Sequence, residues 1–85
     1  MQKVRIYTTR ICPYCLRAKA LLKKKNVPYE EIDVSFDADL RERMTAQTGG
    51  ARTVPQIFVG DTHVGGCDEL YALDKSGKLD SLLAS

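Results

Sequence analysis

The chain has 85 residues, 44% hydrophobic and 28% charged, which suits one domain over residues 1–85 built around one core. A core this thin leaves room for a shallow surface groove rather than a deep substrate cavity. Six glycines and three prolines exclude a collagen-like or disordered chain, no apolar run approaches the ~18–20 residues of a bilayer span, and a net charge of +2 argues for neither nucleic acid nor a membrane as partner.

The charge is unevenly placed. Residues 1–25 hold eight basic groups and no acid, a balance of +8, whereas the remainder holds five basic and eleven acidic groups, a balance of −6. One end is therefore expected to attract anions. Met1-Gln2-Lys3 leads straight into Val4-Arg5-Ile6 with no apolar secretory stretch, so the cytoplasm is the expected compartment. Three cysteines are an odd number there, which favours redox or metal chemistry over a structural disulfide framework.

In chain order, Lys3 to Thr8 alternates with period two and reads as a strand. From Pro13 to Lys25, Cys15, Ala18, Leu21 and Leu22 recur at spacings of three and four with basic residues between them, an amphipathic helix ended by Asn26 and Pro28. Tyr29 to Val34 gives a second strand, and Ser35 with Asp37 can cap a helix that runs to about Thr48 and stops at Gly49-Gly50. Gln56 to Val59 and Thr62 to Gly65 flank Gly60-Asp61 as a hairpin, and residues 67–83 are helical with an interruption at Gly77. A β-α-β crossover followed by a hairpin and terminal helices predicts an α/β protein with a four-stranded mixed sheet flanked by helices on both faces.

Cys12-x-x-Cys15 falls at the first strand-to-helix junction, the context of a thioredoxin-like redox motif. With Cys12 as N-cap, Pro13 takes N1, where its missing N–H costs nothing. The N–H groups of Tyr14 and Cys15 then point at the Cys12 sulfur. Those donors, the helix dipole and a nearby cation favour thiolate over thiol, and Arg10, two residues upstream, is the candidate cation. Cys15 lies one turn deeper, on the stripe with Ala18 and Leu22, and is expected to be the more buried. Cys12 is thus the expected nucleophile toward a disulfide and Cys15 the resolving thiol.

Two further segments point to the same place. Pro55 in Arg52-Thr53-Val54-Pro55-Gln56 suits the edge of a strand, but a cis Val54–Pro55 bond would turn the Val54 backbone toward Cys12, open to an extended peptide. Gly65-Gly66-Cys67-Asp68-Glu69 opens a helix whose N–H groups can receive a carboxylate, although Asp68 and Glu69 also complement the dipole without a ligand. Cys12, Cys15, His63 and Cys67 also form a four-ligand zinc set, disfavoured because His63 lies mid-strand and the pairs come from separate elements.

Cys12-Pro13-Tyr14-Cys15, Thr53-Val54-Pro55 and Gly65-Gly66-Cys67-Asp68, in this order over essentially the whole chain, resemble the glutaredoxins, and among them the short bacterial dithiol kind. The resemblance implies a thioredoxin-like fold with a cis Pro55. It also implies a glutathione-dependent oxidoreductase that reduces protein disulfides and glutathione mixed disulfides, with no permanently bound cofactor. By the same resemblance Val54 pairs its backbone with the cysteinyl unit of glutathione, Cys67 and Asp68 hold the γ-glutamyl end, and Arg10, Tyr14 and Thr53 line the groove. Arg10 or Arg41 would supply the cation for the glycine carboxylate, and Cys67 is otherwise a small packing residue. The implied partners are glutathione and glutathionylated or disulfide-containing clients, with ribonucleotide reductase as a family-level client, and the chain is expected to act as a monomer. A glutathione-held iron–sulfur cluster between two chains is the other possibility within this resemblance, and Pro13 argues against it.

Overall fold

The computed structural model describes residues 2–85. Four strands, β1 (Val4–Thr8), β2 (Glu30–Asp33), β3 (Gln56–Val59) and β4 (Thr62–Gly65), form one sheet in the order β2-β1-β3-β4. The β1–β2 pair is parallel and the other two pairs are antiparallel, so the sheet is mixed as predicted. Four helices complete the fold: α1 (Pro13–Lys24), α2 (Ala38–Gln47), α3 (Cys67–Lys75) and α4 (Lys78–Ala84).

Alternation along the central strands sorts the side chains to two faces. Val4, Ile6, Ile57 and Val59 pack with Ala18, Leu21 and Leu22 of α1, Leu70 of α3 and Leu79 and Leu83 of α4. On the other face Tyr7 and Phe58 pack with Val34 and with Met44 of α2, the Tyr7 and Phe58 rings meeting edge to face at 6.0 Å. One core therefore lies on each side of the sheet.

Helix ends follow local chemistry. Asn26 takes φ 57°, and the N–H groups of Asn26 and Val27 return to the carbonyls of Lys23 and Leu22 at 3.0 and 2.9 Å, a Schellman stop that lets β2 start beside β1. The Asp37 carboxylate caps α2 by accepting from Leu40 N–H at 3.0 Å. Ser35 does not share that task, because its hydroxyl accepts from Arg10 N–H at 2.7 Å. Gly77, at φ 79°, separates α3 from α4. Lys25, just past α1, bridges Asp74 at 2.7 Å and Asp80 at 3.0 Å and so pins the end of that helix to α3 and α4.

A second polar link ties α1 to the sheet. The Glu31 carboxylate accepts from the buried Thr8 hydroxyl at 2.8 Å and from Lys19 Nζ at 3.0 Å. Burial pushes its acidity toward the neutral form, but the hydrogen bonds from Lys19 and Thr8 outweigh it and hold the carboxyl below its ordinary 4.5. A lowered folded-state value means stability that is present above about pH 4.5 and lost as pH falls through the folded value. Glu31→Gln is therefore expected to lower the melting temperature at pH 7, and to lower it by progressively less as pH falls below about 4.5. A difference that does not shrink as pH is lowered, read by calorimetry, would contradict this account.

Candidate active site

The end of β1 delivers Cys12 to the start of α1. The Cys12 backbone is extended, as an N-cap requires, and Pro13 occupies the first helical position. Cys15 N–H donates to Cys12 Sγ at 3.1 Å. The sulfur therefore sits where a serine or aspartate oxygen would cap other helices. Of the two donors expected from the sequence, Cys15 at N3 makes this hydrogen bond and Tyr14 at N2 does not, because a single short cap atom reaches one N–H well. The Cys12 and Cys15 sulfurs lie at disulfide distance, with 5.1 Å between their Cα atoms. Cys12 is half-buried and Cys15 is 1% exposed, so Cys12 is the accessible member.

The loop before β3 faces this pair. Val54–Pro55 is cis, and the Val54 carbonyl oxygen lies 3.8 Å from Cys12 Sγ. A groove of about 350 Å³ runs from Tyr14 past Thr53, Val54 and Pro55 to Cys67 and Asp68 at the start of α3. Gly65 forms part of its floor at φ 117°, and a Cβ there would come within 2.9 Å of Glu69 Oε1. That Glu69 oxygen accepts from Gly66 N–H at 2.8 Å and fixes the entry to α3. The first N–H groups of α3 have no partner within the helix, and Cys67, Asp68 and Glu69 of that turn line the groove end.

The sequence-predicted residues Tyr14, Thr53, Val54, Pro55, Cys67 and Asp68 thus meet around one groove beside Cys12. Arg10 does not line it. Its guanidinium stacks over the exposed Phe36 ring at 4.8 Å, and its backbone is tied to Ser35. Arg41 stands apart as well, in a separate hollow with Ala38, Glu42, Thr45 and Arg52, where Nη2 donates to the Arg52 carbonyl at 3.2 Å. The cation nearer the groove is Arg17, one of the eight basic groups of residues 1–25 and not singled out from them by the sequence. It lies 5.9 Å from the Tyr14 ring and 5.5 Å from the Tyr71 ring, and the Tyr71 hydroxyl donates to its carbonyl at 3.0 Å. A basic residue two positions after a Cys-x-x-Cys, on the turn that follows it, is the signal that was available.

Cys67 is packed in the α1-side core, and burial pushes its thiol up. That environment suits a packing residue more than a reactive thiol. Among the described residues no three His, Cys, Asp or Glu side chains converge as metal ligands, so the zinc set of Cys12, Cys15, His63 and Cys67 does not assemble. His63 instead meets Gln56, at 2.7 Å.

A Cys-x-x-Cys pair at the first strand-to-helix junction of this sheet, facing a cis proline, defines a thiol–disulfide oxidoreductase of thioredoxin-like fold. The sequence model of the glutaredoxin family matches residues 4–64. The chain is 53% identical over 83 residues to glutaredoxin 3 of Escherichia coli, covering 98% of this chain and 99% of that protein. It is 53% identical over 85 residues to a glutaredoxin of Pseudomonas aeruginosa, covering 100% of both. Among solved structures, the buckwheat glutaredoxin–glutathione complex superposes with a TM-score of 0.87 at 30% identity, over 98% of this chain and 77% of that one. The chain belongs to the glutaredoxin family.

Proposed function

We propose that residues 1–85 act as one glutathione-dependent glutaredoxin domain in the cytoplasm, with Cys12 as nucleophile and Cys15 as resolving thiol. The observation that carries the reading is the half-buried Cys12 sulfur, which receives the Cys15 N–H at 3.1 Å and lies 3.8 Å from the carbonyl of Val54, a wall residue of the groove that ends on the start of α3. The complexed state of the buckwheat relative supports glutathione as the occupant.

In this mechanism the Cys12 thiolate attacks the glutathionyl sulfur of a mixed disulfide. The client sulfur leaves as a thiolate and takes up a proton, and a Cys12–glutathione disulfide remains. A second glutathione thiolate attacks the glutathionyl sulfur, which regenerates Cys12 and forms oxidised glutathione. With a protein disulfide, Cys12 first forms a mixed disulfide with the client. Cys15 then attacks the Cys12 sulfur, expels the reduced client and leaves the Cys12–Cys15 disulfide for glutathione to reduce. Thr53, Val54 and Tyr14 line the bound tripeptide, Pro13 and Pro55 shape its surroundings, and the α3 N–H groups of Cys67 and Asp68, with the Asp68 carboxylate, receive the charged γ-glutamyl end.

The test is turnover of a small glutathione mixed disulfide coupled to glutathione reductase, run beside the same assay with thioredoxin reductase. Turnover with glutathione is expected; turnover only with thioredoxin reductase would overturn the reading. Removing the Asp68 carboxylate deletes one charge-assisted contact to the γ-glutamyl ammonium, so Asp68→Ala is expected to raise KM about tenfold with kcat nearly unchanged. An unchanged KM would take Asp68 out of the groove.

A further inference from the structure

Gln56 is a buried polar residue in a strand whose other members are Ile57, Phe58 and Val59. A buried amide needs partners at both ends. Its Nε2 donates to the Thr53 carbonyl at 3.0 Å and to the Thr53 hydroxyl at 3.3 Å. A carbonyl oxygen only accepts, so this contact fixes which way the amide points and leaves Oε1 as an acceptor, 2.7 Å from His63 Nε2. His63 must therefore carry a proton on Nε2. Its ring is held by Phe58, the residue directly opposite on β3, with centroids 4.9 Å apart and planes tilted by 32°.

We propose that His63 is a positioning residue of the groove: acting through Gln56, it fixes the Thr53–Val54 segment that faces Cys12. Donation runs in one direction, from His63 Nε2–H to Gln56 Oε1 and from Gln56 Nε2–H to the Thr53 carbonyl. The chain of bonds begins on the edge strand β4 and ends one residue before Val54, whose carbonyl lies 3.8 Å from Cys12 Sγ. Without the His63 donor the Gln56 oxygen loses its protein partner on the groove side, where Gln56 and His63 both line the wall, and the amide is free to turn toward solvent, which releases Thr53. The kinetic effect rests on the glutathione reading of the groove; the relay itself does not.

The test compares His63→Leu with His63→Gln, whose terminal amide N–H reaches about as far as Nε2. His63→Leu is expected to raise KM for the glutathione mixed disulfide about tenfold while kcat changes by less than about twofold. His63→Gln should restore KM to within about twofold of the unmodified protein. In parallel, with no substrate present, the Thr53 and Val54 backbone amide signals in a nitrogen–proton NMR spectrum should move in His63→Leu and return in His63→Gln, while the Leu22 amide stays in place. Unmoved Thr53 and Val54 amides in His63→Leu, or a KM loss shared equally by both variants, would overturn the relay. Failure of the unmodified protein to turn over with glutathione would instead count against the glutathione reading alone, because the amide signals report the relay without any substrate.

Discussion

Replacing Cys12 by serine is expected to abolish reduction of both protein disulfides and glutathione mixed disulfides, by on the order of a thousandfold or more, because a hydroxyl does not ionise near neutral pH as a helix-capping thiol does. Replacing Cys15 should split the two reactions. Cys15→Ser keeps the Cys12 sulfur and the backbone N–H that donates to it at 3.1 Å, so turnover of a small glutathione mixed disulfide should stay within about threefold of the unmodified protein. Reduction of a protein disulfide should fall about a hundredfold or more, since no second thiol is at hand to release the client. The two assays run on the same three proteins check this. Equal loss of both reactions in Cys15→Ser would show that the buried thiol supports the site rather than resolving an intermediate.

The largest effect on stability is expected at Leu22. It is fully buried on the α1 stripe between the sheet and the C-terminal helices, in the core cluster that also holds Ile6, Ile57, Leu70 and Leu79. Leu22→Ala removes apolar contact and leaves a void that close-packed neighbours fill only in part, which costs about 2–5 kcal/mol. For a domain this small, about 3 kcal/mol corresponds to a melting temperature lower by about 12–24 °C. Thermal unfolding followed by circular dichroism measures it. Below the transition the variant should keep the Cys12 reaction, because the cap geometry belongs to the first turn of α1. A loss below about 1 kcal/mol would mean that the surroundings of α1 collapse around the void.

The features legible in the sequence are those set by local chemistry. The spacing of Cys15, Ala18, Leu21 and Leu22 gave α1 and its buried face, Gly60-Asp61 gave the bounds of β3 and β4, and Gly77 marked the break between α3 and α4. The dithiol, the Val54–Pro55 loop and the start of α3 were recognisable as motifs, and packing brings them to one groove. What depended on partners distant along the chain was not legible. Its place two residues before Cys12 points to Arg10 as the cation for that sulfur, but the exposed ring of Phe36 and the Ser35 hydroxyl, both from the β2–α2 connection, hold it elsewhere. The sequence offers His63 only as a metal ligand, because its hydrogen bond to Gln56 depends on how β4 registers against β3. A glutamine within an otherwise apolar strand was the visible clue, since a buried amide demands a partner.

The stacking of Arg17 between Tyr14 and Tyr71 bears on what an approaching anion feels. A guanidinium gripped by a carboxylate is held firmly but loses most of its field a short distance away, because the opposite charge travels with it. Ring faces restrain the same group through their quadrupoles and leave its full positive charge outward. Tyr71 is in this sense a neutral counterweight, setting where the charge sits without cancelling it. A glutamate in its place would anchor Arg17 equally well and would silence the positive charge at that corner of the groove.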